Sequence, residues 1–573
     1  MSVTVGIAPM LVLAQPDWTR EDRNQKIALD YIENARKSGV QIKVLDEVTG
    51  LPIEGALMSY RQVSHDFMFT IGGSPLDFMS ELSLNALEVF PLNWTRIEPR
   101  DGDFHYEFYD RALDYWLKEV PHAQLFVKLW VVPEAGWVYK TWPPPYTRFS
   151  EILTNQSAFQ EFLGHVYDYV YHSASHLKAI RYWITQMEIN VPEYPINEAK
   201  KQLWTVQQAV EIDRVSARAI RDANPNATIL LGTSNPNFMG EDPSLYADPV
   251  EFAKMCIRRG VAFDGVAIET WPYWTPADYY DYMGKLTALG KSVFIHEIQG
   301  FAAVPPGGRW LLSGRWRMFD EDSQAAWLKC MFTIAYGKSG VIGIYWLWYQ
   351  DSPAYETGQA FPDGLNRLDG TPRKAYYTFR DLMKQFTTYG NGTTDANGIL
   401  GFRGFAGHYS VTVTAKGFET LDTPIHVQEG KENSFVVRMK RPLAYTKAAD
   451  ILVAASSKLK EAENASFQSL VARSQLITAR TEYEMAVQAF GSHSYDEAVD
   501  HCRKSLALVE GAFAEEQAYQ EQRLARQERQ LQEQQQQIIL LASVSAAIAA
   551  TVAATILYEF RRIRSRQRKQ QQS

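Results

Sequence analysis

Between about residue 66 and residue 390, short apolar runs alternate with stretches in which apolar residues recur every three or four positions. The first pattern suits strands buried on both faces and the second suits helices with one apolar side, so their alternation predicts a parallel sheet joined by helical crossovers. Eight runs read as strands: 65–71, 89–94, 125–130, 181–188, 228–233, 265–270, 291–297 and 341–348. Segments 109–120, 158–171, 210–223, 249–259 and 325–336 read as the helices between them. Eight repeats of this kind close into a (β/α)8 barrel, an α/β fold placed at 65–390.

The flanks follow another pattern. Residues 38–64 and 391–440 alternate apolar and polar positions around turn residues, with Asn397-Gly398 as a hairpin signal. Neither stretch can bury a sheet face alone, so the two are expected to pair into one small β-sandwich built from both sides of the barrel. Ahead of them, residues 1–37 read as an apolar segment without a positive leader region, the remnant of a signal peptide, and then a helix. After Pro442 the chain turns Ala-, Glu- and Gln-rich, and 441–537 reads as a helical hairpin, its second arm opening near Ser494, followed by a polar stalk. The stalk is either a single helix or a coiled coil that makes a homodimer.

Residues 538–558 carry no charge over 21 positions, enough for a helix to cross a hydrocarbon core of roughly 30 Å. A basic tail, 559–573, follows. Basic residues favour the cytoplasmic side, so the expected arrangement is a single-pass cell-membrane protein with its C-terminus inside and everything before 538 extracellular. A formal net charge of -8, with no basic stripe in the first 440 residues, argues against nucleic acid as a partner and suits a neutral polymer. Cys256, Cys330 and Cys502 lie far apart and make neither a disulfide framework nor a zinc pattern. No metal or organic cofactor is implied.

Two of the strand-like runs end in a carboxylate, Glu188 and Glu297. Ionisable side chains rarely follow buried residues unless the strand opens into a site, and in a (β/α)8 barrel the C-terminal strand ends carry the chemistry. Two carboxyl groups facing each other across one bond are what glycoside hydrolysis needs, one to protonate the leaving oxygen and one to attack the sugar carbon or guide water. His296, beside Glu297, points to the opposite strand face if the run is regular. Aromatic residues cluster at or just past the same strand ends. Trp94, Trp130, Trp137, Trp271, Tyr273, Trp346 and Trp348 are candidate faces for pyranose rings, with Glu269 among them, and part of this set is expected to be core instead. Glu98 reads as structural, and Asp351 as either structural or functional.

Taken together, residues 38–440 resemble glycoside hydrolase family 10, the retaining endo-xylanase family. Trp94-Thr-Arg-Ile-Glu-Pro99 followed by Gly102-Asp-Phe is similar to its strand-two signature, and Trp130 and Trp137 have the separation of its strand-three tryptophans. Tyr182-Trp-Ile-Thr-Gln-Met-Glu188 matches the segment ending in its acid/base, and Val293-Phe-Ile-His-Glu297 the segment bearing its nucleophile. The resemblance implies Glu188 as acid/base, Glu297 as nucleophile and retention at the anomeric carbon. It also has departures: Met187 stands where the family has Asn, Asn93 where Lys is usual, Phe126 where His is usual, and Glu269-Thr-Trp271 where Gln and His are usual. Two carboxylates in a rebuilt sugar pocket predict a glycosidase acting on an extracellular polysaccharide or glycoconjugate other than plain xylan. The alternatives are a catalytically inactive, membrane-anchored carbohydrate-binding protein and a receptor-like scaffold.

Overall fold

The computed structural model describes residues 18–133, 143–196, 199–234, 246–270, 274–304, 319–353 and 360–570. The expectation of a signal remnant falls on residues outside that set. The chain forms two units, one holding the barrel and the sandwich and the other the C-terminal helices.

Eight strands form the barrel: β1 (Met68–Ile71), β2 (Ala86–Glu88), β3 (Gln124–Trp130), β4 (Tyr182–Ile184), β5 (Thr228–Thr233), β6 (Gly265–Thr270), β7 (Ser292–Ile298) and β8 (Val341–Trp346). They run β1-β8-β7-β6-β5-β4-β3-β2 with every ladder parallel, and the β1/β2 seam carries no ladder among the described residues. One helix follows each strand in turn: α1 (Leu76–Glu81), α2 (Glu107–Glu119), α3 (Gln156–His176), α4 (Val206–Ala223), α5 (Pro249–Arg258), α6 (Pro276–Thr287), α7 (Glu321–Tyr336) and α8 (Lys374–Phe386). Local sequence starts several of these helices. Asn155 accepts the Ser157 and Ala158 amides, Thr205 and Gln208 form a reciprocal capping box, and Asp248 caps the helix that opens at Pro249. Met68, Phe126, Ile184, Met187, Leu230, Phe294 and Tyr345 fill the interior, so the cylinder is a packed core and only its mouth is open.

Two strands depart furthest from the sequence reading. Strand two was expected at 89–94. It lies earlier, at Ala86–Glu88, with a short continuation at Leu92–Asn93 paired to β3. Strand four was expected to run to Glu188 but stops at Ile184. There Gln186 turns its side-chain oxygen to the Val131 and Val132 amides, at 2.8 and 3.1 Å, and residues 187–190 form a turn.

Strands from both flanks pair with one another. Lys37–Asp46 lies antiparallel to Ile399–Phe405 in a three-stranded sheet with Asn433–Met439. Leu57–Gln62 lies between Tyr389–Thr393 and Gly407–Thr414 in a four-stranded sheet edged by Leu421–Val427. Tyr60 stacks on Phe402 from one sheet to the other at 3.9 Å, and the Tyr409 hydroxyl donates to the Phe405 carbonyl at 2.7 Å. Gly404 permits that approach, since a Cβ there would lie 2.6 Å from the hydroxyl. Arg36 fastens barrel to sandwich. Its guanidinium is buried and donates to the carbonyls of Tyr336, Lys338 and Val341 at 2.8, 3.0 and 2.9 Å, and to Glu429 at 2.9 Å.

The second unit has three helices, α9 (Leu443–Asn464), α10 (Leu470–Gly491) and α11 (Tyr495–Gln570), where a hairpin was expected. Ala448, Ala455 and Ala462 on α9, and Ala472, Ala479 and Ala486 on α10, recur every seven residues and are buried with Ala498, Cys502 and Ala512 of α11. Such small side chains let the three helices close on each other, which accounts for the third arm. Beyond the bundle α11 continues exposed over 521–568, and its apolar stretch is long enough to cross a membrane by length and composition.

Beside the N-terminal strand ends, His122 stacks on His408 at 3.6 Å and His408 on His426 at 4.2 Å, while His426 Nε2 donates to Asp66 at 2.9 Å. Burial, with His122 and His426 on its two faces, lowers His408 to about 4 against the opposing pull of Asp66. A base whose folded-state pKa lies below its unfolded value gains protons on unfolding, so the stability it contributes is complete above about pH 6.5 and is lost as pH falls toward about 4. Buried His65, lowered to about 3, adds a loss of the same sign. The thermal midpoint is expected to fall between about pH 7.5 and pH 5, and to fall less in His408→Phe. Equal losses in the two proteins would remove the stack as a source.

Candidate functional site

At the C-terminal mouth of the barrel a cavity of about 390 Å³ opens between β1, β2, β3, β7 and β8. Its polar lining includes Glu88, Lys128, Glu297 and Tyr345, and its aromatic lining Phe90, Trp116, Trp130 and Trp348.

Glu297 reaches this cavity through a β-bulge. Strands β6 and β7 pair Ile268 with Ile295 but Glu269 with Glu297, which leaves His296 as the extra residue, and the β7/β8 register breaks at the same place. A bulge re-aims the residues that follow it. The regular strand expected from sequence would put His296 and Glu297 on opposite faces. Instead His296 packs inside the barrel against Phe126, Phe294 and Tyr345, while Glu297 opens on the cavity. Burial and the nearby Lys128 hold the His296 imidazole well below its ordinary range, so it is neutral. Neither of its ring nitrogens has a hydrogen-bond partner, and Nδ1 lies 3.7 Å from Glu297, so it is a packing residue.

Lys128 organises the charges. Its Nζ donates to Glu297 Oε1 at 2.8 Å and pairs with Glu88 Oε1 at 3.5 Å, with the lysine side chain only 7% exposed. A buried ammonium is tolerable only when paired, and two carboxylates from different strands supply the pairing. Burial pushes the Glu88 carboxyl above its ordinary range; Lys128 pulls it back, Glu297 adds to the rise, and the Tyr345 hydroxyl also bonds to it.

Glu188 stands in the turn after β4, with a φ of 56°, in the left-handed region that non-glycine residues seldom occupy. Its side chain is buried, its carbonyl accepts the Val191 amide at 2.8 Å, and it is not among the residues lining the Glu297 cavity. Glu269, at the end of β6, is buried and accepts the Ser234 hydroxyl at 2.9 Å, while the Asn190 amide donates to the Ser234 and Ala247 carbonyls.

Of the expected aromatic faces, Trp130 and Trp348 line the cavity. Trp94 and Trp346 do not, and this corrects the sequence reading. Trp94 is buried, stacked on Tyr169 at 4.8 Å, with its Nε1 donating to Glu98. Trp346 is buried with its Nε1 donating to the Asp363 carbonyl. Large apolar area at a strand end went into the core in both cases. Trp137, Trp271 and Tyr273 lie outside the described residues. Asp351 takes Arg373 at 2.6 Å and the Gly364 amide at 3.1 Å, a structural role.

Sequence reasoning missed Glu88, Lys128 and Tyr345. Lys128 did leave a signal, because it is the one charged residue in the run Leu125-Phe-Val-Lys-Leu-Trp130, where a charge has to find a partner. The departures noted above also find local causes. Asn93 caps the short helix Trp94–Ile97, and Phe126 and Met187 fill the barrel interior.

No family model matches the chain. An anti-sigma-I factor, RsgI6, of Acetivibrio thermocellus is 22% identical over 415 residues, covering 70% of this chain and 48% of that protein. The chain thus spans about half the length of this curated relative. Among solved structures, it is similar to a GH10 endoxylanase retrieved from a sugarcane soil metagenome, at 17% identity over 55% of this chain and 97% of that one, with a TM-score of 0.41. It is also similar to native xylanase 10B from Thermotoga maritima, at 15% identity over 56% and 94% of the two chains, with a TM-score of 0.40.

Lys128→Met removes the shared cation and leaves two carboxylates facing each other, at an expected cost of about 3–5 kcal/mol in urea unfolding. Adding Glu88→Gln is expected to return part of that loss. A cost below about 1 kcal/mol would mean that the cluster is solvated and not buried.

Proposed function

We propose that this protein is a membrane-anchored retaining glycosidase whose barrel engages an extracellular polysaccharide or glycoconjugate, with Glu297 as nucleophile and Glu188 as acid/base. The observation that carries the reading is Glu297, turned by a bulge into an aromatic-lined cavity at the barrel mouth and held there by Lys128. An ion pair through Oε1 fixes the carboxylate before substrate arrives, so no reorganisation is needed when it attacks the anomeric carbon. The acid/base protonates the leaving oxygen, then takes a proton from the water that hydrolyses the glycosyl-enzyme. Trp130 and Trp348 offer flat apolar faces for the sugar ring. The apolar stretch of α11 anchors the chain, and the basic run after it favours a cytoplasmic C-terminus.

A second reading, a carbohydrate-binding sensor without turnover, is favoured by one observation: Glu188 is not among the residues lining the cavity that holds Glu297. The name of the Acetivibrio thermocellus relative, an anti-sigma-I factor, supports a regulatory role of this kind.

A polysaccharide panel assayed with the full chain and its Glu297→Gln variant separates the two. The hydrolase reading expects wild type to release sugar with retained configuration and the variant to lose turnover by about a thousandfold or more while still binding. Binding by both without release from either establishes the sensor. Absence of binding in both sinks the two readings together.

A further inference from the structure

A strand at the edge of a sheet exposes unpaired amide and carbonyl groups, and proteins blunt such edges with charge, proline or cover. Among the described residues the two sheets of the sandwich have four edge strands. Ile399–Phe405 carries Arg403, Asn433–Met439 carries Arg438, and Leu421–Val427 carries Asp422 and Pro424. Tyr389–Thr393, with the sequence Tyr-Gly-Asn-Gly-Thr, has neither a charge nor a proline. Its two glycines face inward, where a Cβ on Gly390 would lie 2.5 Å from the Tyr60 hydroxyl and one on Gly392 2.7 Å from Leu400. Alternation along the strand then sets Tyr389, Asn391 and Thr393 together on the outer side, all exposed, with Tyr389 at 68%.

Asn391-Gly-Thr393 is an acceptor pattern for N-linked glycosylation, which belongs on exposed backbone. The same pattern occurs at Asn93, Asn155, Asn226 and Asn464. The first two are half-buried helix caps, and none of the four has an aromatic residue two positions before it. At Asn391 that position is Tyr389, on the same face of the strand, so its ring can lie against the apolar C–H face of a sugar on the Asn391 amide. Resting on the reading that the barrel and sandwich lie outside the cell, we infer that Asn391 carries an N-linked glycan, packed on Tyr389, that covers this unguarded edge. The donor class is a lipid-linked oligosaccharide pyrophosphate. Nδ2 of Asn391 bonds to its anomeric carbon, and the bond from that carbon to the pyrophosphate oxygen breaks. The lipid pyrophosphate leaves with the electron pair, and Nδ2 gives one proton to a base of the transferring enzyme.

The test takes the full chain from the membranes of its source cells. Protease protection of intact cells places the barrel, and mass spectrometry reads the peptide that holds Asn391. That peptide is expected to bear sugar, and both Asn391→Gln and Thr393→Ala to lose it, the second with the asparagine still present. Light scattering on mild heating reads the edge. Asn391→Gln is expected to self-associate faster than wild type, while Asn391→Asp, which puts a charge on the strand without a sugar, stays dispersed. The fall in thermal midpoint from wild type to Thr393→Ala is expected to shrink in a Tyr389→Ser background. An extracellular barrel with unmodified Asn391 overturns the inference and leaves the membrane arrangement standing, whereas a barrel inside the cell overturns both. A modified Asn391 whose Gln variant stays as dispersed as wild type overturns the shielding of the edge.

Discussion

One ammonium group between two carboxylates governs the mouth of this barrel. Lys128 on β3 bonds Glu297 on β7 and pairs with Glu88 on β2, tying together strands from separate parts of the cylinder wall. Three charges this close to a packed interior are stable only as a set, because each would otherwise carry the full cost of leaving water. The bulge at His296 belongs to the same arrangement. Without the extra residue Glu297 would not share the interior side with Phe294, and Lys128 would lose its shortest partner.

This constraint also shapes what the site can do. A carboxylate fixed before substrate arrives, with aromatic faces around it, is what both glycosidic attack and firm sugar binding require. The two functions diverge at Glu188, which lies in a left-handed turn and not on the wall of the Glu297 cavity. At two of the positions where the resemblance led one to expect polar groups, Phe126 and Met187, the side chain went to apolar packing of the interior instead.

Elsewhere the chain uses two different packing solutions. The sandwich takes one inner strand of each sheet from before the barrel and the edge strands from after it, and Arg36 locks it on through four hydrogen bonds that satisfy a buried guanidinium. The helical unit instead packs alanine at seven-residue intervals, gaining close approach where it lacks bulk. Past that bundle α11 is exposed, and its composition changes from polar to apolar to basic without a helix break.

The barrel was legible because its signal is periodic: buried strands and amphipathic helices repeat eight times, and the turn-rich flanks cannot bury their faces except against each other. Glu297 was legible for a similar reason, as a charge ending an apolar run. What the linear pattern could not contain was direction. The bulge at His296 depends on register against β6, the early end of β4 depends on where the Gln186 side chain finds two free amides, and Glu88 became a site residue only because β2 begins sooner than its apolar run implied. Trp94 and Trp346 make the same point from the other side, since an indole at a strand end satisfies hydrophobicity equally in the core or in a cleft. Periodicity along the chain determined which elements form. The pairing of buried charges and polar groups between distant strands, a property of three dimensions, decided which side chains meet at the barrel mouth.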